Sequence, residues 1–323
     1  MGTEPLVSDK DGVFCLLPRQ WMQQELEFLL DSQHCTEISE LSFNPQTIMR
    51  EYSGTAKAIG ERGGRALHAK LMKIGPIEKL PANMFWNVKT DKKPGAVSFR
   101  KVHANAGFPL APMGRWLSLI LRDKLDGHPF VCKDTMSFLK DISKIELHGD
   151  EILVKFDIGE FFMTGDHPEL ARAAASFAKD GWQDLAERAA LTLLDNQLVH
   201  ITDTQHRRRL YKVNTGAGQG LNYAGDLANA AYARTVEEPL FQQPPYILED
   251  FYGIVLWRRV FDDIFVVMRA AEYRARTLLA FIKRLSPLWK YDGLEISPIS
   301  FTSVDVDQFS KNGRTNASAN LIC

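Results

Sequence analysis

The sequence predicts an α+β fold in which helices pack on an antiparallel sheet. Two observations carry that expectation. Apolar stretches with strand-like alternation fall irregularly between helical patterns, rather than in the regular strand–helix succession of a doubly wound parallel sheet. Several of those stretches also come in pairs joined by turn residues, which is the signature of hairpins.

The elements follow in order. Residues 13–17 read as a short apolar strand, and QWMQQELEFLL at 20–30 as a helix. Residues 51–78, rich in Gly and basic residues, predict a loop followed by a helix. FWNVKTDKKPGAVSFRKV at 85–102 is apolar, turns at Lys92-Lys93-Pro94-Gly95, and is apolar again, which predicts a hairpin. RWLSLILRDKL at 115–125 is helical. EILVKFD at 151–157 is a strand with Ile152, Val154 and Phe156 on one face and Leu153, Lys155 and Asp157 on the other. Helices are expected at 168–179, where Pro168 suits a first turn, and at 182–196. A hairpin spans 198–213, the Gly-rich loop NTGAGQG follows, and a helix runs from about 225 to 238, stopped at Pro239. Two apolar strands, YGIVLWRRVF and IFVVM, flank a turn made of Asp262 and Asp263. A helix at 271–285 and a strand pair around 296–309 complete the pattern.

Composition bounds the function. The 323 residues are 45% hydrophobic and 24% charged, which excludes wholesale disorder, collagen and coiled coil. Lys and Arg number 39 against 40 Asp and Glu, so net charge does not advertise a nucleic-acid partner and any such reading rests on local features. Cys15, Cys35, Cys132 and Cys323 are scattered, with no zinc-ligand spacing, and read as reduced thiols of an intracellular protein. No apolar run is long enough to cross a membrane, so no membrane partner is expected, and the N-terminus lacks the build of a signal peptide. No internal repeat is present.

The chemistry lies in carboxylates at strand ends. Asp157 closes one strand, and Asp262 and Asp263 occupy a turn far downstream. Strand ends of one sheet meet, and up to three carboxylates then share a few ångströms. Uncompensated, the cluster is repulsive and raises pKa values. A hard cation resolves the conflict, and magnesium needs only one or two protein carboxylates per ion. Two such ions suit in-line phosphoryl transfer. An Asp-Asp pair alone is weak evidence, because Asp favours turns.

The order of motifs gives that pair its meaning. KFDIGEFF at 155–162, GAGQGLNYAGDLANAAY at 216–232 and WRRVFDDIFVV at 257–267 resemble motifs A, B and C of reverse transcriptases. Within that superfamily the chain is most similar to Penelope-like retroelements, through SDKDG at 8–12, FRKVH at 99–103, RRLYKV at 208–213 and ISFTSVDVDQF at 299–309. The resemblance implies a right-hand polymerase palm plus fingers. Residues 1–150 would form the fingers and the fingers-palm connection, and 151–323 the palm, with part of 168–213 packing with the fingers. A helical thumb is missing from this pattern, as is the GIY-YIG endonuclease that many members of the subgroup carry. Either could be supplied elsewhere.

The implied activity is RNA-directed DNA polymerisation, in which dNTPs are added to the 3′-hydroxyl of a DNA primer on an RNA template. The implied cofactor is two Mg2+ ions, with Mn2+ as a substitute. Asp157 and Asp262 would hold both metals, Asp263 would be a companion carboxylate, and the backbone carbonyl of Ile158 an extra ligand. Phe162 would stand against the sugar and reject ribonucleotides by clashing with a 2′-hydroxyl. Gln219 and Gly220 would meet the nascent base pair, Gly because it admits close backbone approach. Arg100, with its planar fork, and Lys10 and Lys89 would grip the triphosphate. Arg207, Arg208, Arg209, Arg258 and Arg259 would contact template or primer phosphates. Tyr223 and Trp257 are aromatic neighbours whose expected fate is core packing. A retroelement enzyme would work in the nucleus.

Two departures from the family pattern stand out. Phe261 precedes the motif-C aspartates where relatives often have Val, Tyr or Ala, and GAGQG replaces the GxAMG form common in Penelope-like elements. Two other readings stay open: a polymerase-like nucleic-acid-binding scaffold that is catalytically weak or inactive, and an RNA-dependent RNA polymerase, against which Phe162 speaks.

Overall fold

The computed structural model describes residues 3–8, 12–31, 34–89, 98–104, 106–145, 148, 150–203 and 205–298. From the N-terminus, β1 (Thr3–Ser8), β2 (Phe14–Pro18) and α1 (Arg19–Asp31) are followed by β3 (Cys35–Ile38), α2 (Pro45–Gly63) and α3 (Arg65–Leu71). Then come β4 (Ala82–Lys89), β5 (Ser98–His103), α4 (Ala111–Leu125), α5 (Thr135–Ile142) and β6 (Ile152–Gly159). α6 (His167–Ala175), α7 (Gln183–Asp195), β7 (Leu198–Thr202), β8 (Arg208–Val213), α8 (Ala224–Tyr232) and the short α9 (Glu238–Phe241) lead to β9 (Ile254–Val260), β10 (Asp263–Met268), α10 (Glu272–Leu285) and β11 (Lys290–Pro298). The 92–95 turn and the 299–309 motif lie outside the described residues.

Contacts divide the chain into two units, Met1–Gly127 with Phe162–Arg234, and His128–Phe161 with Thr235–Cys323. The chain passes between units after Gly127, Phe161 and Arg234. The reason is pairing: β6 finds its strand partners near the C-terminal end of the sequence, whereas α6 and α7 pack with α2, α4 and α8.

The first unit carries a seven-stranded sheet in the order β2-β1-β4-β7-β8-β3, with β5 also paired to β4. Two of its pairings, β1 with β4 and β4 with β7, are parallel and the rest are antiparallel. The expected loop within residues 51–78 is corrected, because residues 45–63 form one helix. Asn44 caps it by accepting from the backbone N–H of Gln46 and Thr47, and Pro45 fills its first position. The glycines serve close packing there. A Cβ at Gly60 would lie 2.5 Å from the His68 Cβ, so glycine lets α3 fold back on α2.

The second unit is a four-stranded sheet, β11-β6-β10-β9, antiparallel throughout. Alternation sorts it as the sequence predicts. Val154, Phe156, Ile158, Ile264, Val266 and Trp257 lie on the buried face, where each large apolar side chain contributes about 1.5–3 kcal/mol. Phe156 meets the rings of Trp257 and Tyr291 edge-on, at 5.8 Å in both cases. Lys155, Asp157 and Asp263 are left on the other face, together with Phe265. Pro239 does not stop the helix after motif B. That helix widens into a π-helical turn at Ala233–Glu237, and Pro239 is accommodated in the first turn of α9. Among the described residues, no helix is long and apolar enough to cross a membrane.

Candidate active site

The motif A and motif C carboxylates are brought together by strand register. β6 and β10 run antiparallel with Asp157 directly opposite Asp263, so their side chains project from the same face. The turn differs from the expected pair of carboxylates: its two residues are Phe261 and Asp262, and Asp263 is already the first residue of β10. Phe261 holds a φ of 52°, a left-handed conformation that costs a bulky residue on the order of 1 kcal/mol or more. Three contacts hold the turn in place. The Ile158 N–H donates to the Asp262 carbonyl at 2.8 Å, tying motif A to motif C through the backbone. Arg259 donates to the Phe261 carbonyl at 3.0 Å. Arg259 is in turn fixed by Glu237, which accepts from its guanidinium at 2.9 and 3.0 Å and from the Trp257 indole at 3.1 Å.

A cation already stands between the opposed carboxylates. The Lys155 ammonium lies 3.0 Å from Asp263 and 3.5 Å from Asp157. Partial burial, with help from the adjacent Asp263 and against the charge of Lys155, pushes the Asp157 carboxyl up to about 6. Against its own partial burial, the Asp263 and Asp157 carboxylates raise the Lys155 pKa. The donor set of Asp157, Asp262, Asp263 and the Ile158 carbonyl is all hard oxygen and suits Mg2+ or Mn2+, and the bridging ammonium shows that the opposed pair accepts positive charge. Asp262 is exposed. Among the described residues no group of three or more His, Cys, Asp or Glu is gathered as a metal cage. The expected cluster of three carboxylates is therefore an opposed pair with Asp262 beside it in the turn.

In the first unit, the Gly-rich motif-B loop is braced on both sides. The Ala217 N–H donates to the carbonyl of Phe162 at 2.6 Å, and a Cβ at Gly216 would fall 2.3 Å from that same oxygen. Gln197 spans the loop, accepting from the Gly218 N–H at 2.7 Å and donating to the Gly216 carbonyl at 2.9 Å. On the β5 side, the His103 N–H donates to the Gln219 carbonyl at 2.7 Å, and a Cβ at Gly218 would fall 1.9 Å from the His103 ring. Gly220 has a φ of 105° and is exposed. Phe162, Gln219, Gly220 and the inner end of β5 thus form one assembly. Phe161 is buried and Phe162 is partly exposed, which separates the core member of the aromatic pair from the accessible one. Arg100 and Lys89 share the outer face of the β4–β5 hairpin, where Asn87 pairs with Arg100 and Lys89 with Ser98. Lys10 lies outside the described residues.

The predicted phosphate-contacting arginines divide. Arg259 is corrected: its side chain is fully buried against the equally buried Glu237 and cannot meet nucleic acid. Strand alternation places it on the core face, next to the outward Arg258. Arg258 pairs with Asp141 at 2.8 Å. Arg207 pairs with Asp203 at 2.9 Å and Arg209 with Glu37 at 3.0 Å, so these charges are answered within the chain. Arg208 is exposed and donates to Asn83 and His200. Trp257 and Tyr223 are core residues, the latter donating to the Leu193 carbonyl.

Three residues of this architecture carry no role in the sequence reading. Lys155 had a visible signal, since alternation puts it on the face of Asp157. His103 and Glu237 had none, because only the fold shows what they touch.

No protein-family model matches the sequence, and no curated protein matches it. Solved structures do resemble the fold. Apo telomerase from Candida tropicalis superposes with a TM-score of 0.57 and 10% identity, over 92% of this chain and 52% of that one. The same enzyme truncated from its C-terminal domain gives 0.54 and 11%, over 92% and 59%. Telomerase from Candida albicans in complex with a fragment of telomeric RNA gives 0.52 and 11%, over 91% and 50%. The chain spans about half to three fifths of the length of these enzymes. Its mixed α+β fold, with helices packed on sheet, is similar to that of these telomerases.

Proposed function

We propose that this chain is an RNA-directed DNA polymerase of a retroelement, closest in kind to the Penelope-like group, that adds dNTPs to a primer 3′-hydroxyl on an RNA template. The observation that carries the reading is the register of β6 and β10, which sets the motif A carboxylate directly opposite a motif C carboxylate, with the Ile158–Asp262 backbone bond locking the turn beside them. Asp157, Asp262, Asp263 and the Ile158 carbonyl would hold two Mg2+ ions. Such ions, when bound, neutralise charge on the attacking and leaving oxygens of a phosphoryl transfer. The protein's own part is to hold the carboxylates in register and keep the turn rigid. In the first unit, Phe162, Gln219 and Gly220 form the braced assembly to which the resemblance gives selection of the nucleotide, while Arg100 and Lys89 share a basic hairpin face suited to phosphate. The fold shared with telomerases supports the same reading.

The test is primer extension by purified protein on poly(rA)/oligo(dT) with magnesium and dTTP, with Asp262→Asn as control. Extension by the wild type that vanishes in the variant supports the enzyme. No extension alongside measurable duplex binding would instead make the chain a nucleic-acid-binding scaffold. Incorporation of rNTPs at rates equal to dNTPs would make it an RNA polymerase.

A further inference from the structure

Lys155 stands among the carboxylates on the outward face of the four-stranded sheet. Lys155 lies two residues before Asp157, so β-alternation sends both side chains to the same face, and Phe265 is its partner on β10. Its Nζ bridges Asp263 and Asp157 at 3.0 and 3.5 Å and stands 5.8 Å from the Phe265 ring centroid. The side chain is 34% exposed, so the ammonium can leave this position without being desolvated further.

On the opposite side of β6, β11 sets Asp292 across from Asp157 and Glu295 across from Lys155. The two β6 positions are separated by two residues and the two β11 positions by three. In regular strands one acid would then point to the other face. An irregularity between Asp292 and Glu295, with Gly293 at a φ of 64°, absorbs the extra residue and keeps both acids in register with Lys155 and Asp157. The Asp292 carboxylate accordingly fills the space a Cβ at Gly159 would take. Glu295 is exposed beside the lysine.

We propose that Lys155 is the resident counter-ion of this site, which a divalent cation must displace from Asp157 and Asp263 and which Glu295 then receives. The inference rests on the reading of Asp157 and Asp263 as metal ligands. Two opposed carboxylates without a cation repel one another, and an ammonium bound to both relieves that repulsion. A divalent ion at the same oxygens is repelled by the ammonium, so the two cations exclude each other. The bulge supplies a carboxylate next to the lysine that is not one of the opposed pair. Lys155 is thus a positioning residue: it keeps the empty site in register and sets the affinity for metal.

The experiment is a titration of the full chain with Mn2+ followed by electron paramagnetic resonance, together with thermal unfolding in EDTA and in Mn2+. Lys155→Met is expected to bind Mn2+ roughly three- to tenfold more tightly, the range of one to two partly exposed ion pairs. In EDTA it is expected to melt below the wild type, and Mn2+ should raise its melting temperature by more than it raises that of the wild type. Lys155→Arg, which keeps the charge, should bind Mn2+ as the wild type does, and Glu295→Gln about two- to threefold more weakly. Equal or weaker Mn2+ binding by folded Lys155→Met overturns the proposal, and unchanged affinity in Glu295→Gln overturns the receiving role. Should Lys155→Met fold only when Mn2+ is present, that supports the counter-ion. Failure of the underlying reading looks different: Mn2+ binding absent from the wild type, or unaffected by Asp157→Asn.

Discussion

Glu237→Ala tests the buried strut behind the motif C turn. Glu237 and Arg259 are both fully buried, and the carboxylate receives three N–H donors, two from Arg259 and one from Trp257. Removing it leaves a buried guanidinium without its counter-charge and an indole N–H without its acceptor. Breaking one side of such a pair costs about 3–5 kcal/mol. Arg259→Met should cost a similar amount, since it strands the carboxylate and also releases the Phe261 carbonyl that holds the left-handed turn. The double variant Glu237→Met/Arg259→Met removes both charges and fills the space, so, with Glu237→Met as the matching single variant, it should cost no more than either single alone, a coupling energy of about 3–5 kcal/mol. Urea denaturation followed by tryptophan fluorescence measures this, because Trp257 and Trp289 lie in the same unit. Single variants that each cost under ~1 kcal/mol, or losses that simply add in the double variant, would refute the strut.

Other outcomes follow from the first unit and from the proposed selectivity. His103 is fully buried, and burial holds its imidazole down at about 4; among the described residues its Nε2 has no hydrogen-bond partner. Because the unfolded state takes up the proton first, stability is intact above about pH 6.5 and falls toward pH 4, by about 3 kcal/mol in all. His103→Leu should flatten that part of a denaturation-against-pH profile, and an unchanged slope would clear the histidine. Gly218→Ala puts a Cβ into the His103 ring, so an unfolding free energy lower by about 2–3 kcal/mol is expected, and an unaltered denaturation midpoint would contradict the tight packing. Phe162→Val should lower the preference for dNTPs over rNTPs by roughly 10–200-fold in competitive single-nucleotide incorporation. An unaltered ratio would remove Phe162 from sugar selection.

Both sheets were legible wherever alternation was regular. EILVKFD announced which side chains of β6 face the core, and the hairpins at 82–103 and 198–213 announced themselves by turn residues between apolar runs. The helix α2 was not legible, because Gly60 and Gly63 look like loop residues until α3 is seen packed against them. The strand β1, the edge strand β3 and the short α5 were missed for want of length or period. In motif C the sequence located the aspartates but not their division between turn and strand, which depends on Phe261 adopting a positive φ. Arg258 and Arg259 are chemically identical neighbours whose fates differ only by strand face, and Glu237, the partner that decides Arg259, stands well upstream with nothing local to mark it.

The order in which the chain visits its two units bears on how it is made. β6 is followed in the chain by residues 162–234, which belong to the other unit, and β10 and β11 are supplied only after these have been made. A nascent chain therefore carries Val154 and Phe156 without their β10 and β11 partners for the whole of that interval. Long-range antiparallel closure of this kind is slow and exposes the chain to aggregation. Chaperone supply and growth temperature should accordingly govern the yield of intact protein, and a fragment ending between residues 160 and 250 should collect in inclusion bodies.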